Sequence, residues 1–147
     1  VKGFVVLDHE RRKILHVGAT EDNNIEWLRL QMCLALPDAA EYSHLLCDND
    51  RLFAGPFEEM ISSDFSLIVK KTSLGSPWQN AYVERSIGSI RRELLNHVVI
   101  LSESHLIDLL NQYKRYYNSH RTHCGLDKDT PTPSQGSGAT VSRPKRA

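Results

Sequence analysis

The chain has 147 residues, 40% hydrophobic and 24% charged, with no net charge. That composition fits one soluble domain around one core, and no apolar run reaches the roughly 18 residues a membrane helix needs. The opening Val1-Lys2-Gly3-Phe4 is too soon charged for a signal peptide, and Cys33, Cys47 and Cys124 are too irregularly spaced for a disulfide framework or a zinc pattern. The cysteines read as reduced, mostly buried thiols.

Residues 3–8 form a short apolar run and residues 13–19 a second, separated by the polar His9-Glu10-Arg11-Arg12. Together they predict a β-hairpin. Thr20 offers an N-cap, with Glu21 and Asp22 in the first turn, for a helix whose Ile25, Leu28, Met32, Ala35 and Leu36 recur at helical spacing. Pro37-Asp38 ends it. Tyr42 to Cys47 reads as a third strand, Phe57 to Ser63 as a short helix and Phe65 to Val69 as a fourth strand. Ser76-Pro77-Trp78-Gln79 combines an N-cap, a proline at the first helical position and a capping-box glutamine, so a helix should run from there to about His97. A further helix spans about Glu103 to Tyr117, with Leu106, Leu109, Leu110, Tyr113 and Tyr117 as its apolar face. The order β-β-α-β-α-β-α-α implies an α/β fold with helices packed on a sheet. Residues 131–147 are rich in Pro, Ser and Gly and read as a basic, unpacked tail after a core of residues 1–130.

Charge is unevenly distributed. Residues 1–75 hold 8 Lys and Arg against 12 Asp and Glu, and residues 76–147 hold 10 against 6. A basic half beside an acidic half fits a phosphate-binding surface next to a carboxylate metal site, although chance produces such splits too.

Two carboxylates stand out. Asp48 follows the third strand, at the sheet edge where α/β proteins place ligands; alone, Asp48-Asn49-Asp50 is an ordinary turn. Glu84 falls beside the apolar stripe Val83, Ile87, Ile90 and Leu94 on its helix, where a solvated glutamate is the ordinary reading. Residues 49–83 separate the pair, a gap of 35.

With that spacing the chain resembles the DDE superfamily of insertion-sequence transposases and retroviral integrases, whose signature is D,D-35-E. Ser76-Pro77-Trp78-Gln79-Asn80-Ala81-Tyr82-Val83-Glu84-Arg85 is similar to the family's S-P-x-x-N-A-x-x-E block. Ile90-Arg91-Arg92-Glu93-Leu94, then Tyr116-Tyr117-Asn118 with Arg121, His123, Leu126 and Pro131, resemble its downstream blocks. The resemblance covers roughly residues 3–133 and implies an RNase H-like fold, a mixed five-stranded sheet flanked by helices.

It also implies a chemistry. Three carboxylates would hold two Mg²⁺ (or Mn²⁺) ions, hard cations that take oxygen ligands. Ions roughly 4 Å apart serve in-line displacement at phosphorus. Asp48 and Glu84 are then catalytic and metal-binding. Asn80, Arg85, Arg91 and Arg92 are expected to contact DNA, at the element ends and at the target, with the arginines on phosphates. Asp50 stands where many relatives carry Gly and is read as a turn residue, with a secondary metal role as the alternative. His120, His123 and Cys124 lack a partner pair and are not read as a metal cluster. A homo-oligomer is implied for the intact protein, with no membrane association and a cytoplasmic, nucleoid-associated location.

The first carboxylate does not fit. The family needs an Asp on the opening strand of its sheet, but Asp8 lies at the hairpin turn, facing away from that position. The expectation is that the first strand lies upstream and is absent, so that the core is partial and inactive alone. The alternative is a non-catalytic transposase remnant that at most binds DNA or multimerises. An RNase H-like nuclease acting on another nucleic acid is disfavoured by the Ser76–Arg85 block and the Tyr-Tyr-Asn ending.

Overall fold

The computed structural model describes residues 1–73, 80–121 and 131. Strands β1 (Lys2–Leu7) and β2 (Ile14–Thr20) form the antiparallel hairpin, with Val5 opposite Val17 and Val6 opposite His16. The turn is built by Asp8, whose carboxylate accepts the N–H groups of Glu10 (2.8 Å) and Arg11 (3.2 Å). Such a bond lets aspartate direct its own backbone into a turn. Arg12 completes it in the left-handed region, at φ 59°.

The hairpin divides the interior in two. Phe4, Val6 and Leu15 face one apolar cluster, and Val5, Leu7, Ile14, Val17 and Ala19 face the other. Alternation along β1 explains the split. On β2 a register shift opposite Val6 and Leu7 returns Ile14 to the face of Val17, as a bulge does.

Helix α1 (Ile25–Ala35) closes the first cluster with Leu28, Met32 and Ala35. Its N-cap is Asn24, whose side chain accepts the Trp27 N–H at 2.9 Å, and not Thr20, which ends β2. Strand β3 (His44–Cys47), helix α2 (Pro56–Phe65) and strand β4 (Ile68–Lys71) form a βαβ unit, with β3 and β4 parallel. Phe57, Met60, Ile61 and Phe65 pack α2 onto the first cluster. The helix runs two residues past Ser63 and so displaces the fourth strand from the expected 65–69 to 68–71. Pro56 opens α2, and Ser66 closes it in the left-handed conformation at φ 56°.

Helix α3 (Ala81–Glu93) and helix α4 (Glu103–Ser119) cover the second cluster. Ser102 caps α4 by accepting the His105 N–H at 3.1 Å. On α4 the expected Leu106, Leu110, Tyr113 and Tyr117 are buried, while Leu109 is half-exposed. The capping segment Ser76–Gln79, His123, Cys124, Leu126 and all of the tail but Pro131 lie outside the described residues.

The element order is the expected one, and the class is α/β with both antiparallel and parallel pairing. Among the described residues, however, the strands form two separate pairs and not one continuous sheet. No described helix is long and apolar enough to cross a membrane.

Candidate functional site

Asp48 directly follows β3, at its C-terminal end, and is exposed. Its carboxylate accepts the Asp50 N–H at 3.1 Å, and the Asp50 carboxylate accepts the Leu52 N–H at 2.9 Å to start a short 3-10 turn, Arg51–Phe53. Asp50 therefore does the turn work expected of it. Beside Asp48, the Lys71 ammonium pairs with Glu58 at 2.7 Å. Burial, with the negative charges of Asp48 and Glu58 and against that of Lys71, pushes the Cys47 thiol up to about 11. Cys47 is a buried, protonated thiol, whereas Cys33 is exposed.

Asp8 stands elsewhere. Its carboxylate lies near Tyr42, whose phenol is held above its ordinary value by burial first and then by the charge and hydrogen bond of Asp8. Tyr42 precedes β3 and Asp48 follows it, so Asp8 is at the opposite end of that strand from Asp48.

Helix α3 is gripped on one side by the hairpin turn. Tyr82 meets the His9 ring edge-on at 4.6 Å between centroids, and the Arg12 guanidinium lies over the Tyr82 ring at 3.2 Å. The fully buried positions of α3 are Ser86, Ser89 and Ile90, not the expected stripe of Val83, Ile87, Ile90 and Leu94, whose other members are only half-buried. Small side chains let the helix approach closely, and both serines are satisfied. Ser86 donates to the Val83 carbonyl at 2.8 Å, and Ser89 accepts from Arg121 at 3.2 Å.

Counted from Asn80 at about 100° per residue, Tyr82, Ser86 and Ser89 centre the packed side near 210°. Glu84, at about 40°, points the other way. Glu84, Arg85, Arg91 and Arg92 are all exposed. Asn80 occupies the N-cap position of α3, half-buried, without a side-chain capping bond.

Asp48 and Glu84 are therefore both exposed carboxylates next to structured elements. Among the described residues no hydrogen bond or ion pair joins them, and no group of three His, Cys, Asp or Glu is placed to hold a metal ion. Oxygen donors of this kind suit Mg²⁺ or Mn²⁺. The described residues do not by themselves complete a site for either ion.

The downstream motif is structural glue that sequence reading did not assign. The Tyr113 hydroxyl donates to Glu93 at 2.6 Å, and Arg121 donates to the other Glu93 oxygen at 3.0 and 3.2 Å. This pins the C-terminal end of α4 to that of α3. Asn118 is buried and bonds the backbone of Ile14 at the start of β2. The available signal was an asparagine adjoining the apolar stripe of an amphipathic helix, which must find partners if it is buried.

Residues 68–131, a little under half of the chain, match the family model of the integrase core domain. No curated protein matches the chain. The matched segment contains β4, α3 with Glu84, the Glu93–Tyr113–Arg121 network and Asn118, so the similarity to an integrase core domain spans the helices that carry Glu84 and this network.

Proposed function

We propose that this chain is a partial catalytic core for DNA integration or transposition, in an RNase H-like fold, acting by metal-dependent phosphoryl transfer at element DNA ends. The observation that carries the reading is the integrase-core match across the helix bearing Glu84, with Asp48 after the first strand of the parallel pair. In this reading Asp48 and Glu84 are two of the carboxylates for Mg²⁺ or Mn²⁺, and a third comes from outside the described set. Asn80, Arg85, Arg91 and Arg92 hold DNA, and the working protein is a homo-oligomer on the nucleoid in the cytoplasm. The 147 residues alone are inactive.

A second reading is favoured by the lack of a three-carboxylate group among the described residues. It is a remnant that at most binds DNA or multimerises.

Strand transfer separates the two. The substrates are duplexes taken from the DNA flanking the reading frame, with Mg²⁺ or Mn²⁺ present. The longest protein that the frame encodes should join them, and Asp48→Asn or Glu84→Gln should abolish joining. The 147-residue chain should give no product. Joining that survives both substitutions removes these carboxylates from the chemistry. Joining by the chain alone sinks its incompleteness, and joining by no form leaves the remnant reading.

A further inference from the structure

We propose that the hairpin turn is an autoinhibitory contact: by clasping Tyr82, His9 and Arg12 hold α3 rotated so that Glu84 faces away from what the helix packs on, and the helix has a second seat that brings Glu84 to the edge of its packed face. The inference rests on the metal-dependent reading above and adds a regulation of that site.

Both seats are present on α3 itself. Counted from Asn80 at about 100° per residue, Tyr82, Ser86 and Ser89 centre the packed side near 210°, and the apolar stripe of Val83, Ile87, Ile90 and Leu94 centres about 310°. Ser86 and Ser89 are fully buried, whereas Val83, Ile87 and Leu94 are only half-buried. That is the reverse of what the burial of apolar surface favours. Ile90 lies between the two sides and is buried. A turn of about 100° about the helix axis, the angle of one residue, exchanges the two sides and keeps Ile90 inside. Glu84 is about 170° from the present packed side and would stand about 90° from the other, on its flank.

The serine side is held in by side chains from elsewhere. At the first turn of α3 the Arg12 guanidinium lies over the Tyr82 ring, 3.2 Å from its centroid, and the His9 ring meets it edge-on at 4.6 Å. Arg12 Nη1 also donates to the His9 carbonyl, so the two clasping residues are tied to each other. The Arg12 backbone is in the left-handed region at φ 59°, a conformation that costs a non-glycine residue stability and that collects at clamps and switches. At the last turn Arg121 holds Ser89 and Glu93, and Tyr113 holds Glu93.

The clasp also keeps the first turn of α3 at the far end of β3 from Asp48. Asp8, next to His9, is hydrogen-bonded to Tyr42, which precedes β3, and Asp48 follows β3. At about 3.3 Å per residue the strand separates its two ends by roughly 10 Å. Two carboxylates that share a metal ion must both reach it, so the clasped arrangement is the resting one.

The first test reads thiol reactivity in the 147-residue chain, in a Cys33→Ser, Cys124→Ser background, with the modified site located by mass spectrometry. Ser89→Cys should react slowly, because position 89 is inside. Adding Arg12→Ala should speed it about tenfold, the effect of losing one cation–π contact. Ile87→Cys should react no faster with Arg12→Ala than without it, because the turn takes position 87 inward. Tyr82→Leu should act as Arg12→Ala does, and Tyr82→Phe, which keeps the ring, should leave the rates as they are. Rates that rise together at both positions mark unfolding and overturn the proposal, as does a Ser89→Cys rate that Arg12→Ala leaves unchanged. The second test is strand transfer by the longest protein that the frame encodes. Arg12→Ala should join faster than wild type, which a simple loss of structure would not produce; joining at the wild-type rate or below overturns the inhibition. Joining by no form, with the thiol pattern as expected, supports the two seats and sinks the DNA-processing reading.

Discussion

The carboxamide of Asn118 bonds the backbone of Ile14 at both ends, its Oδ1 accepting the Ile14 N–H and its Nδ2 donating to the Ile14 carbonyl, each at 2.9 Å. The side chain takes the place of a neighbouring strand residue and so docks the C-terminal turn of α4 onto the start of β2. Ile14 has no exposed surface, so water cannot replace either bond. Asn118→Ala leaves two buried backbone groups unpaired and should cost about 2–4 kcal/mol. Asn118→Asp keeps the acceptor, loses the donor and buries a charge, so it should cost more. Urea denaturation measures both, and an Asn118→Ala midpoint equal to wild type would show that the docking lies elsewhere.

Gly18 is held by contact. A Cβ there would meet Gln31 Oε1 at 2.5 Å, and Gln31 is buried and bonded to the His16 ring at 2.6 Å. Gly18→Ala should therefore destabilise by about 1–3 kcal/mol through overpacking. Gly18→Ala combined with Gln31→Ala should recover part of the loss relative to the sum of the single changes. Simple additivity of the two would count against the clash.

Glu93 gives the fold an acid-sensitive joint. Burial pushes its pKa up, but the hydrogen bonds from Tyr113 and Arg121 and the charges of Arg121 and Arg92 outweigh burial, so the net shift is down from the ordinary 4.5. The folded state thus binds this proton more weakly than the unfolded chain. The stabilisation is complete above the unfolded value and is lost as pH falls through the folded one. Glu93→Gln should flatten the acid side of the stability curve, and Tyr113→Phe should flatten it in part. Urea midpoints between neutral and acid pH read the effect; an unchanged acid limb in Glu93→Gln would rule it out.

The cysteines should react in order of exposure and acidity. In a Cys124→Ser background, a thiol-specific disulfide reagent at neutral pH should modify Cys33 quickly, because it is exposed. Cys47 should react only on unfolding, with its pKa pushed up to about 11. Cys33→Ser should abolish the fast phase. A fast phase that survives would place Cys47 at the surface.

Much of the architecture is legible without coordinates. Short apolar runs at 3–8 and 13–19 about a polar turn give the hairpin, and four-residue spacing of Leu28 and Met32 gives α1. Asp48 sits at a strand end because Leu45-Leu46-Cys47 is an apolar run that stops there. These are short-range effects, written into neighbours in the chain. The N-cap of α1 was misread because Thr20 and Asn24 are both good caps. The choice between them depends on where β2 stops, and β2 extends through Thr20 because its register with Lys2 holds it there.

What the residues determined by themselves is therefore the order of elements, the 35-residue gap between two candidate carboxylates and the similarity of residues 68–131 to the integrase core domain. Only the tertiary structure decided which way α3 faces. Periodicity pointed to Val83 and Ile87, but Tyr82 is clasped by His9 and Arg12, and Ser89 by Arg121. Those partners lie up to 73 positions away in the chain (Tyr82 to His9). A helix turns toward whatever it can pack against most closely, and small hydrogen-bonded serines allow a closer approach than branched apolar side chains. That rotation leaves Glu84 on the side of α3 opposite its packed face, exposed.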